Sequence, residues 1–236
     1  TAAHLGSGAE GDWLADALGT APGARAPASR RLDRSAHIFA LEGALTPAEC
    51  AAIVRAAEGE GFRVAGVDAR ATRSAQDPEQ VTELRTDVRS NERIVLDSPK
   101  AAAKLFARLA TALPQVFRGL TLDSFNDRIR VYKYSPGQFF TPHVDGALVD
   151  GLRGTEFVFT VLLYLNDVER GGRTMFHIAR SDSSGAGGLR YTPASSPAPV
   201  EARVGQGLAF FRKTPHSGEA VLRGSKYVLR LDAMYR

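Results

Sequence analysis

Residues 125–145 read FNDRIRVYKYSPGQFFTPHVD, and the fold turns on them. Upstream, apolar residues recur at helical spacing. From Asp127 the period changes, and Ile129 and Val131 read as part of a strand. Pro136 and Gly137 then break the run before His143-Val144-Asp145. In a strand, alternate residues share a face, so His143 and Asp145 are predicted to point the same way. One imidazole and one carboxylate would then meet at a single point.

Downstream, the segments 157–165, 207–211 and 227–231 also read as strands. Residues 166–172 form a predicted turn. The stretch 181–199 is rich in Ser, Gly, Pro and Ala and reads as a loop insertion. His216 follows the apolar Leu208-Ala209-Phe210-Phe211, and so offers a third ligand from another strand. Two histidines and one carboxylate leave about half of an octahedral iron's positions open. A structural zinc site would close all four positions, usually with cysteines, and this chain has one cysteine. An isolated His-x-Asp is weak by itself. His4, His37 and His177 are read as surface, loop or satisfied core histidines.

Upstream the pattern is helical. Thr46-Pro47-Ala48-Glu49 is a helix start, with Thr46 as cap, Pro47 at the first helical position and Glu49 completing a capping box. This helix should run to about Glu58 and stop at Gly59 or Gly61. A second begins at Pro99, with Ala102, Leu105, Phe106, Leu109 and Leu113 on one face. Residues 38–41 read as a short strand and 12–18 as a short helix. The expected organisation is a weakly ordered segment over 1–35, then one domain over 36–236. Helical support would occupy 36–124 and an all-β core 125–236. Residues 66–90 are polar and aperiodic, and are expected to fold over a binding site.

The chain has 236 residues, 44% of them hydrophobic, enough for one sizeable core. No apolar run reaches the ~18 residues a membrane span needs, so no membrane partner is expected. Cys50 excludes an intrachain disulfide, reads as a small buried apolar residue, and suits a cytoplasmic location. Net charge is +4 and the pI about 9.4. The basic residues are dispersed among acids, without a basic block.

Taken together, Tyr134-x-x-Gly137-Gln138-x-x-x-Pro142-His143-x-Asp145 resembles the iron-binding segment of the prolyl 4-hydroxylase family. Residues 160–166, with Gly171-Gly172-Arg173-Thr174-x-Phe176, resemble that family's next strand pair. His216-Ser-Gly-Glu219-x-Val221 and Gly224-Ser225-Lys226-Tyr227-Val228-Leu229-Arg230 resemble its final strands. The resemblance covers about residues 125–236. It implies an iron(II)- and 2-oxoglutarate-dependent dioxygenase. The implied fold is mainly β, a double-stranded β-helix (jelly roll) with N-terminal helices on one sheet.

The resemblance also implies roles. His143, Asp145 and His216 would hold Fe(II). Lys226, ten residues after His216, would pair with the distal carboxylate of 2-oxoglutarate. Tyr134 and Thr160 would hydrogen-bond the cosubstrate, with Tyr164 helping. O2 would be consumed, and ascorbate could serve as reductant. Asp145 makes hydroxylation the default, because related halogenases lack this carboxylate. Arg230 comes from the strand pattern itself. It shares a face with Lys226, so an inward arginine should meet an anion, either a cosubstrate or substrate carboxylate or a rim salt bridge.

The family often has an acidic residue where Arg173 stands, and the N-terminal half holds no identifiable peptide-binding module. On those departures the expected reaction is hydroxylation of an unactivated C–H bond of a small molecule, an amino acid or natural-product intermediate, with release of succinate and CO2. The alternative is a prolyl or protein-residue hydroxylase. Two rivals remain. A nucleic-acid demethylase lacks support from aromatic residues interleaved with basic ones. A non-catalytic metal-binding barrel would leave Lys226, Tyr134 and Thr160 unexplained.

Overall fold

The computed structural model describes residues 12–19, 27–33, 37–65, 67–68, 82–83, 87–181 and 189–236. The rest of the predicted 1–35 lead-in, most of the predicted loop over 66–90, and residues 182–188 lie outside the described residues.

Thr155–Tyr164 lies inside the larger sheet. It pairs antiparallel with Gly207–Phe211 on one side and Lys226–Tyr235 on the other. The sheet continues outward through Ile38–Glu42 to Ala28–Asp33 at one end, and through Arg128–Tyr134 and Glu92–Asp97 to Arg63–Val64 at the other. A smaller antiparallel sheet runs in the order Phe140–His143, His216–Gly218, Thr174–Ser181, Leu189–Pro193. The two sheets enclose one apolar cluster and the larger sheet backs onto another, giving the double-stranded β-helix.

Period-two alternation sorts side chains between these cores. Phe159, Val161, Leu163, Leu229, Leu231 and Ala233 join the outer cluster, packed with residues of the helices. Tyr132, Tyr134, Tyr164, Leu208, Phe210 and Val228 join the inner one. Burial on both faces is why 157–165 is nearly continuous in apolar residues rather than alternating.

The helices form where the local signals place them. Thr46 and Glu49 close a capping box on Pro47–Glu60, and Gly61 ends it at φ 81°. Cys50, Ile53 and Ala57 form its buried stripe. Burial pushes the Cys50 thiol up to about 11, so it is an inert core residue. Ser98 caps Pro99–Leu109, which buries Ala101, Ala102, Leu105 and Leu109. Arg108 holds Glu49 through two hydrogen bonds of 2.9 and 2.7 Å, joining the helices. The short helix Trp13–Ala17 is capped by Asp12, and Lys104 Nζ donates to the carbonyls of Ala15 and Leu18 at its far end.

Two features depart from the sequence reading. The N-terminal half supplies more strand than expected: Ile38–Glu42 forms as read, and Ala28–Asp33 and Glu92–Asp97 also extend the larger sheet. Leu189–Pro193, inside the predicted 181–199 loop, pairs with Thr174–Ser181. Its side chains are mostly exposed, so it carries no burial pattern that a sequence could announce.

Candidate metal and cosubstrate site

His143 ends the strand Phe140–His143 and sits directly across from His216 in the register of the smaller sheet. Asp145 lies beyond that strand. Its backbone N–H donates to Arg212 O at 3.0 Å, so a contact with the turn after Gly207–Phe211 aims it, rather than strand alternation. The outcome matches the expected convergence. One ligand atom from each of the three residues falls within 4.8 Å of the others.

The donors are prepared for a cation. His143 Nδ1 lies 2.8 Å from Thr141 O and His216 Nδ1 3.0 Å from Thr214 O. A carbonyl only accepts, so each Nδ1 carries the proton and each Nε2 keeps its lone pair for a metal. Burial, reinforced by His216, pushes His143 down to about 3, so it is neutral at physiological pH. Burial pushes the Asp145 carboxyl up, but the Arg230 guanidinium, the two histidines and the Thr160 hydroxyl together outweigh this and hold it well below the usual carboxylate range. Two neutral imidazoles and a carboxylate, with no fourth donor in the group among the described residues, fit a metal that keeps open positions.

The Asp145 carboxylate is fixed from both sides. Arg230 Nη1 lies 2.8 Å from Oδ1, and the Thr160 hydroxyl donates to Oδ2. Arg230 Nε also reaches Asp232 at 3.2 Å, and Arg130 holds the other Asp232 oxygen at 2.9 Å. The anion expected opposite Arg230 is therefore the metal-binding carboxylate itself, together with Asp232. The Thr160 hydroxyl, expected on the cosubstrate, is engaged by the same carboxylate. We expect Arg230→Met to destabilise the metal-free protein by about 3–5 kcal/mol, the cost of breaking a buried ion pair. Its thermal midpoint should drop, and Fe(II) should restore part of the loss by supplying positive charge to Asp145. A midpoint unchanged from wild type would contradict the role given to this arginine.

Lys226 closes the other end of the cavity, whose wall also includes Tyr134, Thr160, Thr174, His143 and His216. Its Nζ donates to Gly172 O at 2.6 Å and lies 5.5 Å from the ring centres of both Tyr134 and Tyr164. Burial pushes its ammonium down to about 8, with Glu219 opposing. A buried ammonium facing a carbonyl and two aromatic rings is suited to receive a carboxylate. The Tyr164 hydroxyl is held by Thr174 Oγ1 at 2.8 Å, so that tyrosine presents its ring.

The Gly171-Gly172 turn brings that carbonyl into place. Both glycines have positive φ, 75° and 69°, and a Cβ on Gly171 would lie 2.4 Å from Ala220 O. Gly171→Ala should therefore cost about 1–3 kcal/mol of backbone strain. The thermal midpoint should fall by about 2–4 °C per kcal/mol for a chain of this size. An unchanged midpoint would show that the turn relaxes freely. Arg173, the departure from the family pattern, pairs with Glu219 through 2.6 and 2.8 Å hydrogen bonds, so a partner of opposite charge accommodates it.

His177 is not brought to the metal cluster, and its Nε2 lies 2.8 Å from Ser217 Oγ. His37 packs edge-on against Phe117, and His4 lies outside the described residues. Sequence reasoning missed Asp232, Tyr132 and Phe140. The first two follow from continuing the inward alternation along Lys226–Tyr235 and Arg128–Tyr134. Phe140, whose ring stacks on His143 at 3.6 Å, had no local signal.

Residues 129–231 match the family model described as 2OG-Fe(II) oxygenase superfamily. Over those residues the chain is similar to that superfamily. The family's cofactors are iron(II) and 2-oxoglutarate, which suit the donor set and the lysine just described. The chain is 31% identical over 121 residues to probable prolyl 4-hydroxylase 10 of Arabidopsis thaliana. That match covers 42% of this chain and 39% of the relative, so the chain spans about two-fifths of the length of the curated protein it matches. Among solved structures, the chain resembles a Pseudomonas putida prolyl-4-hydroxylase, with TM-score 0.52, 17% identity, and 86% and 94% of the two chains covered. It also resembles a Trichoplax adhaerens prolyl hydroxylase in complex with a hypoxia inducible factor oxygen degradation domain peptide fragment. There the TM-score is 0.55 at 14% identity, covering 94% of this chain and 87% of the other. At these identities the structural likenesses establish the fold. Among the described residues, no helix is long and apolar enough to cross a membrane.

Proposed function

We propose that this oxygenase is an iron(II)/2-oxoglutarate-dependent hydroxylase acting on a prolyl residue within a peptide. The observation that carries the hydroxylase reading is the placement of His143, Asp145, His216 and Lys226 around one cavity. The three ligands would hold Fe(II) with positions left open, and Lys226 would bind the far carboxylate of 2-oxoglutarate. When bound, iron, 2-oxoglutarate and O2 supply the oxidant that inserts an oxygen atom into a C–H bond, with succinate and CO2 released. Arg230 and Thr160 orient the carboxylate ligand. Phe140, Leu162 and Val228 on the cavity wall keep water from the reacting atoms.

The prolyl assignment is supported by the relatives, which are described as prolyl hydroxylases. It takes precedence over the small molecule expected from the sequence. Val144, between two ligands, is exposed, which gives the site an apolar contact suited to a chain. Incubation with Fe(II), 2-oxoglutarate and a panel of proline-containing peptides should add one oxygen atom to a prolyl residue, read by fragmentation mass spectrometry. Succinate release stimulated only by free small molecules, with every peptide unmodified, would overturn the peptide reading.

A further inference from the structure

We propose that Arg89 forms a carboxylate-binding subsite, so that the substrate presents a carboxylate beside the carbon that is oxidised. This rests on the hydroxylase reading above and specifies its substrate.

Arg89 is held next to the cavity wall by an added edge on the smaller sheet. Thr141 N–H donates to Val88 O at 2.9 Å, Ser90 N–H to Phe139 O at 3.2 Å, and Arg89 bridges Phe140. One backbone thus lies between Arg89 and His216, and it is the backbone that carries His143. The guanidinium carbon lies 4.5 Å from the Phe140 ring centre and 4.7 Å from that of Tyr132. Both rings line the cavity, and Phe140 in turn stacks on the His143 imidazole.

The arginine is 5% exposed. Its Nε donates to the neutral amide oxygen of Asn91 at 2.6 Å, and its buried Nη2 has no hydrogen-bond partner among the described residues. Leaving such a donor unsatisfied is costly, and more so when it is charged. Two aromatic faces stabilise the cation but do not satisfy its N–H groups.

The surrounding charge points the same way. Among the described residues here, the cations Arg89, Arg130, Arg230 and Lys226 stand against the carboxylates Asp145 and Asp232. A divalent metal and dianionic 2-oxoglutarate cancel each other, so the positive surplus persists in the loaded protein. Burial pushes the Tyr132 hydroxyl up, yet Arg230, Arg89 and Arg130 outweigh this and lower it, which reflects a positive potential at the cavity wall. A substrate carboxylate would neutralise part of the surplus and satisfy the guanidinium. It can come from an acidic residue flanking the proline or from a free α-carboxylate.

The test is anaerobic titration calorimetry on protein loaded with Fe(II) and 2-oxoglutarate, where binding occurs without turnover. The probes are blocked peptides with one proline flanked by Glu or by Gln, and N-acetyl-L-proline against its amide. We expect the Glu peptide to bind at least tenfold more tightly than the Gln peptide. Arg89→Met should erase that preference, read only if the variant keeps its fold by circular dichroism. If it does not, Arg89→Gln carries the comparison. Equal binding within both pairs, a preference that survives the variant, or no binding of any probe would each overturn the Arg89 proposal. The hydroxylase reading is judged separately, by the iron and 2-oxoglutarate titrations. An Arg89-dependent preference confined to N-acetyl-L-proline would sustain the subsite and overturn the peptide reading.

Discussion

His143→Ala is expected to weaken Fe(II) binding by more than about 100-fold, since removing even a residue that only orients a ligand typically costs about 10–100-fold. The remaining Asp145 and His216 could not hold iron against water and chelators at working concentrations. Hydroxylation should fall below detection. The loss is attributable to coordination because the histidine contributes little else: its ring lies against Phe140 and its Nδ1 is held by a backbone carbonyl. Anaerobic addition of Fe(II) and 2-oxoglutarate to the wild type should produce the visible charge-transfer band of the chelate, absent in the variant. His177→Ala is the matched control. Its imidazole bonds Ser217 outside the ligand cluster, and the band should persist. A full band in folded His143→Ala protein would sink the assigned triad and revive the non-catalytic barrel.

The second large effect is at Lys226. Lys226→Met should raise the 2-oxoglutarate dissociation constant by about 100-fold or more, since truncating one partner of a buried charge pair costs about 2–5 kcal/mol. Fe(II) binding by itself should change little, because Lys226 is not among the clustered ligands. The lysine also sets a pH dependence with a definite sign. Burial lowers its ammonium to about 8 in the free protein, so it is charged below that pH and increasingly neutral above it. A bound dicarboxylate favours the charged form and raises the pKa. Above pH about 8, binding therefore takes up a proton, and affinity should fall by up to about tenfold per pH unit. Below it the affinity should be flat as far as this group is concerned. The slope should vanish in Lys226→Met. A wild-type affinity that does not fall between pH 8 and 9.5 would show that Lys226 is not the carboxylate partner.

The ligand set and the lysine were readable because the chemistry constrains them locally. His143 and Asp145 are two residues apart, and Lys226 lies within one short segment of His216. Helix boundaries were equally local, since Thr46, Glu49 and Ser98 satisfy backbone groups within their own first turns. Strand alternation gave the inward direction of Arg230, because a period of two needs no knowledge of the partner strand.

What faces Arg230 depended on register. Asp145 comes to it from the segment after a strand of the smaller sheet, and only the packing of the two sheets converts an expected cosubstrate contact into a grip on the metal carboxylate. Thr160 changed role for the same reason, its hydroxyl being captured by Asp145 before any ligand arrives. Arg89 belongs to the polar cluster Arg89-Ser90-Asn91-Glu92-Arg93, which could line a substrate entrance but in which any one arginine reads as a solvated salt bridge. It stands 54 residues before His143 in a polar stretch, and becomes an interior cation only because Val88 and Ser90 pair with the strand that ends in His143. Sequence alone thus determined the donors, the caps and the direction of each strand's side chains, which depend on neighbours within a few residues. The tertiary structure decided which charges meet, because ion pairing and desolvation are set by contacts between distant segments.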